Sequence, residues 1–135
     1  MQGEEVKELL LQRFETELAA AAIYKAAIPC TSDVRQRRSW QRELDQIETH
    51  AGIVRQLCEH LHVDLDEATP ERLVIRGLGQ SVVRAIDASI SGDRPSARSF
   101  AAECVALVGS AECLTLVGRW EEHCLRPAHR WARDG

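Results

Sequence analysis

Between Trp40 and Leu61 the apolar residues Trp40, Leu44, Ile47, Ala51, Val54, Cys58 and Leu61 recur at steps that alternate between four and three. A strand cannot hold that spacing, because its side chains change face at every residue. A helix turns it into a narrow apolar seam along one side, which is the pattern of a bundle helix. Such a seam needs partners, and three further segments supply them. Val6, Leu10, Phe14, Leu18 and Ala21 share a face in the first. Val74, Leu78, Val82 and Ala85 do so in the third, in phase across Gly77 and Gly79. Phe100, Cys104, Leu107, Ala111 and Leu114 do so in the fourth.

Turn chemistry separates the four segments. Pro29 disfavours helix at the residue before it, and Ser32 or Asp33 can cap the helix that follows. Thr69 has the character of an N-cap, with Pro70 at the first helical position and Glu71 in the first turn. Ser91-Gly92-Asp93-Arg94-Pro95-Ser96 is a turn by composition, and Arg126-Pro127 ends the last segment. β-type alternation and hairpin dipeptides are missing. The expectation is an all-α protein: one antiparallel four-helix bundle domain with helices near 3–28, 33–62, 70–91 and 96–125 and a short tail, 126–135. Reach decides the connectivity. The second helix is about 45 Å long, and the connector 63–69 spans at most roughly 25 Å when fully extended. The third helix should therefore run antiparallel to the second, with a crossover possible only if residues 70–77 leave the helix.

The 135 residues suit one core. An apolar share of 44% excludes general disorder, and a net charge of −4 argues against a nucleic-acid partner. No apolar run approaches the ~18 residues of a membrane span. Met1-Gln2-Gly3-Glu4-Glu5 is acidic where an export signal is basic, so a cytoplasmic location is expected. The five cysteines (Cys30, Cys58, Cys104, Cys113 and Cys124) form no CxxC pair and read as reduced thiols.

Function has to be sought among polar residues beside the seams. Glu17 and Tyr24 are seven apart and lie one above the other beside the Leu10/Phe14/Ala21 stripe. Glu43 and His50, also seven apart, flank Leu44, Ile47 and Val54. Glu103 occupies the matching flank beside Phe100 and Leu107. Carboxylates and an imidazole converging from different helices suit iron, manganese or zinc. The plainer alternative is that Glu43 and Glu103 are solvated or paired with arginine. In that case a Glu17–His50 or Tyr24–Glu hydrogen bond satisfies the inner groups without metal.

Glu17-Leu18-Ala19-Ala20-Ala21-Ala22-Ile23-Tyr24 resembles the first helix of the ferritin-like superfamily. Glu48-Thr49-His50-Ala51, with Val54, Leu57 and Leu61, is similar to the second helix of bacterioferritins, rubrerythrins and YciE-type stress proteins. The resemblance implies a four-helix bundle in which four Glu and two His bind two irons, with Glu-x-x-His on the second and fourth helices. This chain departs from that pattern. His50 matches the motif histidine, but Ile47 stands three residues before it. Ser81 occupies a third-helix flank where a carboxylate would sit, and Asp87 points away from the Leu78 face. Three residues after Glu103 comes Ala106, and three after Glu112 comes Thr115. The reading that follows is a ferritin-like bundle with an incomplete di-metal site: a non-catalytic, stress-associated or scaffold protein, homodimeric through an exposed helix face. The alternatives are a metal oxidase using Glu17, Glu43, His50 and Glu103 with Tyr24 nearby, and a bundle that binds a small apolar ligand or a partner.

Smaller signals remain. Cys58, His60 and His62, with His123, Cys124 and His129, offer zinc or copper ligands, although histidines at a helix C-terminus also suit its dipole. Arg35, Arg37, Arg38 and Arg42 form a basic stripe, read as solvated or ion-paired in preference to phosphate-binding. Trp40, Trp120 and Trp131 suit a dimer contact, core burial or a docked tail. No phosphate loop, dinucleotide fingerprint or nucleophile elbow is present, and nothing singles out a Cys–His nucleophilic pair.

Overall fold

The computed structural model describes residues 2–108. They form α1 (Gln2–Ala27), a 3-10 turn (Ile28–Cys30), α2 (Val34–His60), α3 (Pro70–Ser89) and α4 (Arg94–Val108). The described part is an all-α bundle. The fourth helix was expected to run to 125; residues 109–125 and the tail, 126–135, lie outside the described residues.

The boundaries follow the local chemistry. Asp33 caps α2, accepting from the N–H of Arg35 at 2.9 Å and of Gln36 at 3.3 Å. Thr69 caps α3 by accepting from the N–H of Arg72, with Pro70 in the first turn. Asp93 accepts from the N–H of Ser96 at 2.8 Å at the start of α4. α2 ends in a Schellman closure. The N–H of Val63 donates to the carbonyl of Cys58 at 2.8 Å, and that of His62 to the carbonyl of Glu59 at 3.3 Å. His62 takes the left-handed conformation, φ 57°, that glycine usually supplies there.

α1 is the axis of the assembly. Leu10 and Phe14 meet Val54 and Cys58 of α2, and Tyr24 and Ala27 meet Trp40 and Leu44. α1 and α2 are therefore antiparallel. α3 lies against α1 in the same direction, with Arg72 and Arg76 at Glu15, Gly79 at Ala19 and Ile86 at Ile23. It is thus antiparallel to α2, as the short connector requires. α4 starts beside the head of α2, where Arg98 meets Asp33 at 3.2 Å. It descends along α1, placing Ala101 and Val105 with Ala21 and Tyr24. Trp40 is a core residue in that cluster.

Expected faces on α1, α3 and α4 are corrected. α1 is covered on several sides: Leu10, Leu11, Arg13, Phe14, Glu15, Glu17, Ala20, Ala21, Ile23, Tyr24 and Ala27 are all buried, whereas Leu18 of the expected stripe is exposed. On α3, Val74 and Leu78 stay 62% and 65% exposed, and Ala85 is exposed too. The inward residues are instead Arg72, Gly79 and Ile86, with Val82 and Val83 half-buried. On α4, Phe100 and Cys104 face inward as expected, but Leu107 is exposed.

Two interactions turn α3 this way. One is a close approach of small residues: a Cβ added at Gly79 would stand 2.7 Å from Cβ of Ala19. The other is a buried ion cluster. Oε1 of Glu15 accepts from Nε of Arg72 and Nη2 of Arg76, both at 2.8 Å. Arg72 also donates to the carbonyls of Leu65 and Glu67, fixing the α2–α3 connector. The connector is held to α1 a second time by Lys7–Glu67 at 2.6 Å and by the hydroxyl of Thr69 donating to Glu8 at 3.1 Å. The guanidinium carbons of Arg55 and Arg72 lie 5.4 and 5.8 Å from the Phe14 ring centroid.

Gly77 and Gly79 separate two effects by experiment. A Cβ at Gly77 meets nothing within 4 Å, so Gly77→Ala should stabilise by about 0.5–1 kcal/mol through helix propensity. Gly79→Ala should destabilise by roughly 1–2 kcal/mol net, because overpacking outweighs the same gain. Thermal melts of the two variants check the opposite signs. A second prediction concerns acid. Burial pushes the Glu15 carboxyl up, but hydrogen bonds from Arg76 and Arg72 and their charges outweigh it and hold the group below its ordinary value. The stability this contributes is present above the unfolded-state value and is lost as pH falls through the depressed folded value. Urea titrations from neutral pH to about pH 3 should show a flatter acid slope for Glu15→Gln than for the parent chain.

Candidate functional site

With α3 drawn onto α1, a groove of about 410 Å³ opens between α2 and α3, with α1 as its floor. Ile75, Leu78 and Val82 make its α3 side apolar, and Ile23 adds apolar surface to the floor. Four of the five candidates line it: Glu17 and Tyr24 from the floor, Glu43 and His50 from the α2 rim. The step of seven stacks each pair on its helix, and the antiparallel α1–α2 packing brings the pairs face to face. Glu103 is not among them. It is exposed on α4, beside a shallow depression near Pro95 and Phe100. α4 turns its Cys104 side to α1, which leaves Glu103 on the outer side.

The floor carries a feature that periodicity did not single out. Arg13, one turn before Glu17, places Nη2 2.5 Å from Oε1 of Glu17. Both residues are more than nine-tenths buried. Burial pushes the Glu17 carboxyl up, and the opposing charges of Arg13 and His50 and the hydrogen bond from Arg13 only partly offset it. The His50 charge therefore reaches Glu17 from the rim. Tyr24 is also pushed up, by burial first and by the Glu43 charge second. The signal for Arg13 is the i, i+4 spacing of Arg13 and Glu17, an ordinary helix-surface pair that this fold takes inside.

A di-metal centre does not fit this donor set. Among the described residues no three His, Cys, Asp or Glu side chains stand close enough to share an ion. The Glu17 carboxylate already has a guanidinium against it, and Glu43 and His50 are exposed on the rim. Glu48 is on another face, 3.9 Å from Lys25. The Cys58/His60/His62 group disperses. Cys58 is fully buried against Leu10 and Phe14, while α2 ends at His60 and His62 turns outward. His123, Cys124 and His129 lie outside the described residues, as do Cys113, Trp120 and Trp131.

Thiol chemistry is disfavoured as well. Cys30, Cys58 and Cys104 are free, and burial is the leading cause that pushes each thiol up, away from the reactive thiolate. No helix among the described residues is long and apolar enough to cross a membrane.

The groove can thus do two things: hold an apolar body between α2 and α3, and present a buried ion pair to it. Removing the cation tests the electrostatics. In Arg13→Met the Glu17 carboxyl loses its nearest opposing charge and should titrate higher than in the parent chain. Carbon-13 NMR of labelled glutamate carboxyls reads this directly, and an unmoved Glu17 resonance would contradict the assignment.

The comparisons with known proteins do not name a relative: no protein-family model, curated protein or solved structure matches this chain.

Proposed function

We propose that the chain is a ferritin-like bundle whose metal position has been taken over by a protein cation, and that it works as a non-catalytic scaffold or stress-associated binding protein. The observation that carries this reading is the Arg13–Glu17 pair at 2.5 Å on the buried floor of the groove. In the di-iron pattern, inward carboxylates are balanced by cations. Here the inward carboxylate that survives, Glu17, is balanced by the guanidinium one turn before it. The remaining candidates are too dispersed among the described residues to compensate. The homodimer that goes with this reading would use the outward apolar residues of α3, Leu73 and Val74, which are 48% and 62% exposed.

Metal analysis separates this from the oxidase alternative. Protein purified from iron-supplemented cells should carry far less than one iron per chain, and close to two irons per chain would overturn the proposal. Ferrous-dependent oxygen consumption should be unaffected by Glu17→Ala and His50→Ala; its loss in either variant would favour an oxidase built on these residues.

A second reading is favoured by the groove walls. Ile23, Ile75, Leu78 and Val82 flank a cavity within the size range of small-molecule sites, so the binding role would be toward a small apolar ligand.

A further inference from the structure

A second and larger cavity lies at the other side of the bundle, where the α1–α2 turn meets the start of α4. It has a volume of about 840 Å³. Three arginines line it, Arg37 from α2 and Arg94 and Arg98 from α4, and no carboxylate is among its described lining residues. The carboxylates nearest to it, Asp33 and Asp93, stand at the two helix ends and are engaged there.

Two of the three guanidinium groups are held in place by uncharged or shared acceptors. Nη2 of Arg37 donates to the carbonyl of Thr31 at 2.8 Å. Nε of Arg98 donates to Oε1 of Gln36 at 3.2 Å, and its Nη2 to Oδ2 of Asp33 at 3.2 Å. Gln36 is itself fixed by the hydroxyl of the buried Thr31, at 2.6 Å. Asp33 is committed as the α2 cap, and Asp93 as the cap of α4. These capping carboxylates already occupy the two helix ends, so attraction for an anion comes from the arginines and not from the helix dipoles. The Arg94 side chain makes no hydrogen bond or ion pair among the described residues. Most N–H groups of Arg37 and Arg98 are likewise uncommitted, and a guanidinium fork matches phosphate oxygens in pairs. Ile90 and Pro29 supply an apolar wall beside this charge.

We infer that this cleft binds a phosphate monoester, with the phosphate held by Arg37, Arg94 and Arg98 and the organic body against Ile90 and Pro29. A volume of about 840 Å³ with three arginines and an apolar wall in one cleft suits a small molecule better than an extended acidic peptide. The inference is independent of the groove between α2 and α3: the two cavities share no described lining residue.

The test uses the full chain and phenyl phosphate, with inorganic phosphate, phenol and a hexaglutamate peptide as comparisons, followed by the arginine Nε–H resonances in NMR. Phenyl phosphate should give saturable shifts at Arg37, Arg94 and Arg98 and bind more tightly than inorganic phosphate or phenol. Arg94→Gln should weaken it about tenfold, equivalent to about 1.4 kcal/mol. Arg35→Gln, which removes the same charge from α2 outside the cleft, should change affinity by less than about twofold. A thermal melt checks that both variants are folded. The inference is overturned if phenyl phosphate gives no saturable shift, if the two variants weaken binding equally, if inorganic phosphate or phenol binds as well, or if the peptide binds more tightly.

Discussion

The carboxylate of Glu15 decides how the helices are arranged. It is buried on α1 and receives two arginines from α3 through one oxygen. A buried carboxylate without partners would be strongly unfavourable, and breaking such a cluster on one side costs far more than never building it. α3 must therefore present Arg72 and Arg76 to α1, and its apolar residues Val74 and Leu78 are displaced from the centre of the contact. The Gly79–Ala19 approach agrees with that rotation, because small residues let the two backbones come together one turn further on. The same clamp ties down the α2–α3 connector through Arg72. Cap, connector and helix pairing are thus one cooperative unit.

The groove is a consequence of that pairing. α1 serves as floor for both neighbours, and α2 and α3 stand apart along the stretch where Glu17, Tyr24, Glu43 and His50 converge. Charge is distributed unevenly over it. The acidic and imidazole groups of the rim are in contact with water, whereas the Arg13–Glu17 pair lies beneath in a poorly solvated floor. Burial dominates the Glu17 carboxyl even with the Arg13 guanidinium against it. The site is built to hold a neutralised pair, an arrangement different in kind from an open set of metal donors.

Much of this was legible in the residues themselves. The four-three seam, buried or half-buried from Trp40 to Cys58 although its expected last member Leu61 is exposed past the end of α2, the cap residues expected at Ser32 or Asp33 and at Thr69, and the reach of the 63–69 connector specified the helices and the direction of α3. The seven-residue steps placed Glu17 with Tyr24 and Glu43 with His50. The facing of α3 was not legible, because hydrophobic periodicity assigns the apolar side inward and carries no term for a buried carboxylate elsewhere that recruits arginines. The coverage of α1 was hidden for a related reason. A helix packed on several sides has no single stripe, and Arg13 and Glu15 read as surface charges until their partners are known. Glu103 was misplaced relative to the others because flank position on one helix does not determine which neighbour that flank meets.

The seat of Gly79 on Ala19 also makes the molecule modular. The tight seam between α1 and α3 admits almost no change of side chain, so it is fixed by shape. Glu43, Gln46 and His50, by contrast, belong to α2 alone and take no part in that seam. Size and polarity at the groove mouth can therefore change by substitution on α2 while the joint beneath stays intact.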